Sequence, residues 1–142
     1  MTFKADLYTY LNANVALTAL VVDRFYPGQA PETVSNYPFV VMSRISSEGS
    51  HHMEAATKVA IDTYQFDVWA ITDESREAVS EAIREALDGF RGIMGASTEI
   101  RRIIIKNQLD TIIDARDGSQ IPNFRTVLDF DFIYNRSVPT FP

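Results

Sequence analysis

Ile61 to Phe90 constrains this chain more than any other stretch, because it specifies a strand and the helix that follows it. In Ile61-Asp62-Thr63-Tyr64-Gln65-Phe66-Asp67-Val68-Trp69-Ala70, Tyr64, Phe66, Val68 and Ala70 share one face, and Thr63, Gln65 and Asp67 share the other. That period of two marks a sheet buried on one side, and so long a strand is expected at its centre. In the next segment Val79, Ile83, Ala86, Leu87 and Phe90 recur at steps of three and four, opposite Glu74, Arg76, Glu77, Glu81 and Glu85. This is an amphipathic helix whose apolar stripe packs on the sheet. Thr72 is placed to cap its first turn, Asp73, Glu74 and Glu77 complement the positive end, and Gly89 suits the left-handed residue beyond the last turn.

The rest of the chain is read outward from that pair. Phe3, Leu7, Leu11 and Val15 predict a first helix over Phe3 to Asn12 with Thr2 as cap, and Asn14 starts a short second one over Val15 to Val21. Asp23 to Pro31 holds prolines and a glycine and reads as an ordered loop. Phe39, Val41, Ser43 and Ile45 alternate with Val40, Met42 and Arg44 after Pro38, giving a strand over Tyr37 to Ser46. Ser47 to Lys58 is polar and forms the flexible tip of a hairpin, at about residues 47–58. Arg91 to Thr98 reads as a Gly-containing turn, and Ile100 to Lys106 as a strand whose three successive isoleucines call for burial on both faces or an interface. Gln108 to Asn123 reads as irregular. The last strand, Arg125 to Tyr134, sets Thr126, Leu128, Phe130, Phe132 and Tyr134 against Arg125, Asp129 and Asp131, and a proline-bearing arm closes the chain at about residues 135–142. The expected fold is α+β, one domain over residues 1–142, with a mostly antiparallel four-stranded sheet and helices packed on one face.

Composition narrows the function classes. The chain has 142 residues, 46% of them apolar and 23% charged, the balance of an ordinary folded domain. With no cysteine, disulfides, thiolate zinc sites and cysteine nucleophiles are excluded together. The net charge of -6 disfavours a protein that grips nucleic-acid phosphates. No apolar run approaches the roughly 20 residues that cross a bilayer, and Met1 to Asp6 lacks a signal-peptide start, so a cytoplasmic product without membrane contact is expected.

Motifs for chemistry are sparse. Gly89, Gly92 and Gly95 follow a helix instead of opening one, unlike a phosphate-binding loop. His51, His52 and Glu54 alone have the character of metal ligands, and a solvated hairpin tip is the better account because no third histidine exists. Asp110, Asp114 and Asp117 lack the spacing of a calcium loop. Asp62, Asp67, Asp129 and Asp131 lie on polar strand faces as a candidate cross-sheet cluster, with no nucleophile or histidine beside it. No catalytic residue and no cofactor site is assigned. The residue-level alternatives are a small metal-dependent hydrolase built on His51 and His52, and an intracellular binding module.

Five blocks carry a family resemblance: Asp23-Arg24-Phe25-Tyr26-Pro27, Tyr37-Pro38-Phe39-Val40-Val41, Gln65-Phe66-Asp67-Val68-Trp69-Ala70, Ala86-Leu87-Asp88-Gly89-Phe90-Arg91-Gly92 and Arg125-Thr126-Val127-Leu128-Asp129-Phe130. In this order the chain resembles the tail-completion, or tail-to-head joining, proteins of long-tailed bacteriophages and prophages. The resemblance implies a non-catalytic virion protein made in the host cytoplasm. It implies a homo-oligomeric ring, expected to be a hexamer, at the head-proximal end of the tail. Such a ring terminates the tail tube protein's polymerisation and receives the head-neck connector, and DNA passes through its channel without specific binding. Other neck connectors and minor tail proteins are the nearest alternatives. The candidate subunit or neck contacts are Ser50, His51, His52, Met53 and Glu54 in the tip, Asp110, Asp114 and Asp117 in the acidic stretch, and Phe141 in the arm.

Overall fold

The hydrophobic spacing near the N-terminus produces two helices, α1 (Phe3–Asn12) and α2 (Val15–Val21), in a computed structural model that describes residues 3–28, 37–51, 56–95, 98–113 and 123–135. Phe3, Leu7 and Leu11 of α1 and Leu17 and Val21 of α2 are buried. The Asn14 side chain accepts the Leu17 N–H at 3.0 Å, which satisfies one of the donors that a helix start leaves free. The expected cap Thr2 lies outside the described residues. After Ala70 the chain turns into α3 (Asp73–Leu87), where Thr72 Oγ1 accepts the Ser75 N–H at 3.1 Å. The buried residues of α3 are Val79, Ser80, Ile83 and Leu87, and Gly89 follows with φ 79°.

The sheet corrects the sequence reading. Instead of four mostly antiparallel strands, the described residues form one mixed, six-stranded sheet in the order β1-β2-β3-β6-β5-β4. Its members are β1 (Phe25–Pro27), β2 (Phe39–His51), β3 (Ala56–Ala70), β4 (Gly92–Met94), β5 (Thr98–Ile113) and β6 (Asn123–Asn135). The two strands the sequence hid are short. β1 lies inside the Pro- and Gly-containing loop and pairs parallel with β2, and it is pinned there because the Val40 N–H donates to the Arg24 carbonyl and the Gly28 N–H to the Met42 carbonyl. β4 lies inside the Gly-containing turn and pairs only with Thr98 to Ile100. Neither has enough residues to display an alternation, and Pro27 sits at the end of an edge strand, where a missing N–H is tolerated.

The longer strands also exceed their predicted spans. β2 and β3 continue into the tip, pairing out to His51 and Ala56. β5 runs on to Ile113 through its pairing with β6, and its alternation changes phase at two bulges, between Ile100 and Arg102 and between Ile105 and Asn107. Ile100, Ile103, Ile105, Gln108, Asp110 and Ile112 therefore all lie opposite even-numbered residues of β6, from Tyr134 to Phe124. A fixed period of two cannot follow that pattern, since each bulge adds a residue to one strand only. The isoleucine triplet is divided between faces: Ile103 is buried in the core, Ile105 packs against it, and Ile104 stands opposite Asp131 on the other face.

The core lies between the helices and the face of the sheet that carries Tyr64, Phe66, Val68, Leu128, Phe130 and Phe132. Phe3 of α1 meets Tyr64 edge-on at 5.6 Å between ring centroids and stacks on Tyr134 at 4.3 Å. Each such ring contributes about 1.5–3 kcal/mol through removal from water, so these contacts fix how α1 sits on the sheet. The Tyr10 hydroxyl donates to the Ala86 carbonyl at 2.7 Å and joins α1 to α3.

Candidate assembly surfaces

The opposite face of the sheet carries the odd-numbered residues of β3 and β6 and is polar with apolar margins. Asp67, Asp129 and Asp131 lie together on it, with Arg125 2.9 Å from Asp67 and Lys106 3.8 Å from Asp131. The Arg125 guanidinium also sits over the Trp69 ring at 5.1 Å, and Trp69 in turn stacks on Phe39 with centroids 6.2 Å apart. Thr63 donates its hydroxyl to Asp131. Burial raises the pKa of Asp129, with Lys106 opposing and the neighbouring Asp67 and Asp131 charges adding to the rise. One Asp129 carboxyl oxygen, Oδ1, is buried without a hydrogen bond.

Asp62 does not join this group, because even-numbered β3 residues point towards the helices. Only 1% exposed, it accepts hydrogen bonds from the Ser47 and Tyr134 hydroxyls and lies 4.0 Å from Arg44. Tyr64 is its neighbour on that side, and burial first, then the Asp62 charge, push the Tyr64 pKa up to about 12 against the influence of Arg44. The expected cross-sheet acidic cluster is thus three carboxylates on one face and a fourth satisfied inside the core.

Of the residues singled out as contacts, Ser50 and His51 end β2, and Asp110 lies in β5, where it is exposed and accepts the Thr126 hydroxyl at 2.7 Å. His52, Met53, Glu54, Asp114, Asp117 and Phe141 lie outside the described residues. Among the described residues, no group of three or more His, Asp or Glu is placed to hold a metal ion.

Exposed strand edges are expected of a ring subunit, and which edges they are is what sequence reasoning missed. β5 meets β4 only as far as Ile100, and the Gly89 N–H donates to the Ile103 carbonyl at 3.2 Å. From 104 to 113 no described strand pairs with its outer side. On the other flank, β2 meets β1 only through Met42, and its outer side from 43 to 51 likewise has no described strand beside it. Leu109 and Ile112 on the open part of β5 are 54% and 60% exposed. The signal for this was the apolar pair Leu109 and Ile112 within a stretch whose Asn, Gln and Asp residues read as a loop.

Comparison with known proteins gives matches of two kinds, one to a family and one to solved structures. Residues 5–135 match the sequence profile of the family described as tail completion protein gp17. A chain from the virion of a native gene transfer agent particle is similar in structure, with a TM-score of 0.71 and 17% identity, covering 94% of this chain and 94% of that one. No curated protein sequence matches. The structural likeness, at that identity, speaks for the fold.

Proposed function

This chain belongs to the tail completion protein family, a structural protein of bacteriophage tails, and from that premise we propose that it forms a ring on the head-proximal end of the tail tube. In this reading the ring, a hexamer, stops addition of tube subunits and presents the surface to which the head-neck connector binds. The protein has no catalytic role, and it passes from the host cytoplasm into the virion. DNA crosses the channel, and the net charge of -6 favours passage without adhesion.

The family match over residues 5–135 carries the proposal, and the likeness to a chain of a gene transfer agent virion supports placement in a virion. The physical form of the subunit is consistent with it. A ring of identical subunits requires two different, complementary surfaces on each copy, and this chain has two unlike sheet edges on opposite sides. The β2–β3 hairpin with Ser50 to Glu54, and the acidic residues Asp110 in β5 and Asp114 and Asp117 beyond it, are the proposed contacts to neighbours and neck, and Phe141 is the proposed arm contact. In a phage lacking this chain, tails are expected to grow past their normal length and to remain without heads in electron micrographs. Headed particles with tails of normal length would contradict the proposal.

A further inference from the structure

We propose that the open edge of β2 in one copy adds to the open edge of β5 in the next, so that the sheets continue from subunit to subunit. The inference rests on the ring reading above and names the surface that closes it. The strand order places the two open runs, 43–51 and 104–113, on opposite flanks of one sheet and at similar length. Unpaired strand edges are templates for another strand, and pairing two different edges gives a head-to-tail contact instead of a twofold one. Leu109 and Ile112, exposed in the single copy, flank the added strand on its two faces.

Charge selects this occupant. Between α3 and the end of β5 lies a cleft of about 210 Å3 lined by Asp73, Glu77, Glu81 and Asp110, where Arg76 is already engaged by Asp73 and the Thr111 carbonyl. Arg44 of β2 has a side chain 54% exposed, and its nearest described carboxylate, Asp62, is 4.0 Å away. Arg44 is in register with Tyr64 and Asp110 with Thr126, so both lie on the helix-bearing face. A continuous sheet keeps its faces, which brings Arg44 of the added strand to the side on which the acidic cleft opens.

The chain contains no cysteine, so introduced thiols report on single positions. Ser46→Cys in β2 and Asn107→Cys in β5 are both exposed and lie on the same sheet face, opposite Thr63 and Asp129. Mixed as oligomers on purified tail tubes and treated with a short bismaleimide, the two variants are expected to give a cross-linked dimer, and a chain carrying both substitutions a ladder. Glu85→Cys, exposed on α3, gives neither with either partner. Arg44→Glu is expected to lower the assembled fraction about tenfold, and Glu77→Arg in the same chain to restore it. Rings that form without the 46–107 cross-link overturn this inference and leave the ring reading standing. Protein that stays monomeric in solution and on tubes overturns both. Should Arg44→Glu impair folding, the cross-link decides alone.

Discussion

Gly95 and Asp129 are single residues at which the fold makes a measurable demand. Gly95 has φ +63°, and a Cβ added there would lie 2.7 Å from Asp6 Oδ1 and 2.8 Å from Asp6 Cβ. Asp6 is itself buried and accepts the Thr98 hydroxyl, so it has little room to withdraw. Gly95→Ala is therefore expected to lower stability by about 1–3 kcal/mol in denaturant unfolding, from crowding and from a backbone conformation that alanine disfavours. An unchanged midpoint would show that α1 and the β4–β5 turn are not held together here.

Asp129 makes a demand of the opposite kind. Its folded pKa is raised above the ordinary 3.8, chiefly by burial, so the folded state favours the protonated carboxyl. The resulting stability is fully present below pH 3.8 and is lost as pH rises through the higher folded value. Relative to Asp129→Asn, the native protein should lose stability across that window and then run parallel to the variant at neutral pH. Urea unfolding of both proteins over a pH series measures this, and a constant difference at all pH values would mean that the carboxyl is not perturbed.

At the scale of elements, the parts of the chain that were legible in the sequence are those with one unbroken period. α3 and the centre of β3 satisfy local propensity, capping and amphipathicity together, and α1 and α2 have the bounds their spacing predicts. β1 and β4 were not legible, since Phe25 to Pro27 and Gly92 to Met94 become strands only through the long neighbours that accept them. β5 was half legible, because the bulge after Ile105 changes which residues face the core and gives the later part the look of a polar loop. The assembly surfaces follow the same rule. Polar strand faces were visible as alternation, and the position of the open edges was not, because an edge is defined by what fails to pair with it. The β2–β3 hairpin, which reaches Ser50 and His51, carries the proposed tip contacts. Deleting Ser50 to Ala56 is expected to leave the core and the thermal unfolding transition intact while abolishing tail termination. Normal phage yield from that deletion would remove the tip from the contacts.

For the whole molecule, the central claim is that a single sheet, covered by helices on one face and, among the described residues, open along part of each flank, serves as the repeating unit of a ring. Small two-layer domains with exposed edges tend to aggregate unless those edges are paired or blunted, and a closed ring pairs every edge without further growth. This links the architecture to the biological requirement of ending a polymer. In the proposed ring the lateral contacts close on themselves, and the two ends are left for the tube and the neck. The most direct measurement is electron microscopy of tails assembled with and without this chain, at a resolution that separates subunits. A six-fold ring of this chain is expected at the head-proximal end, with strand density continuous between neighbouring copies. Density for the chain elsewhere in the particle, or a bare tube end in tails that nevertheless join heads, would contradict it.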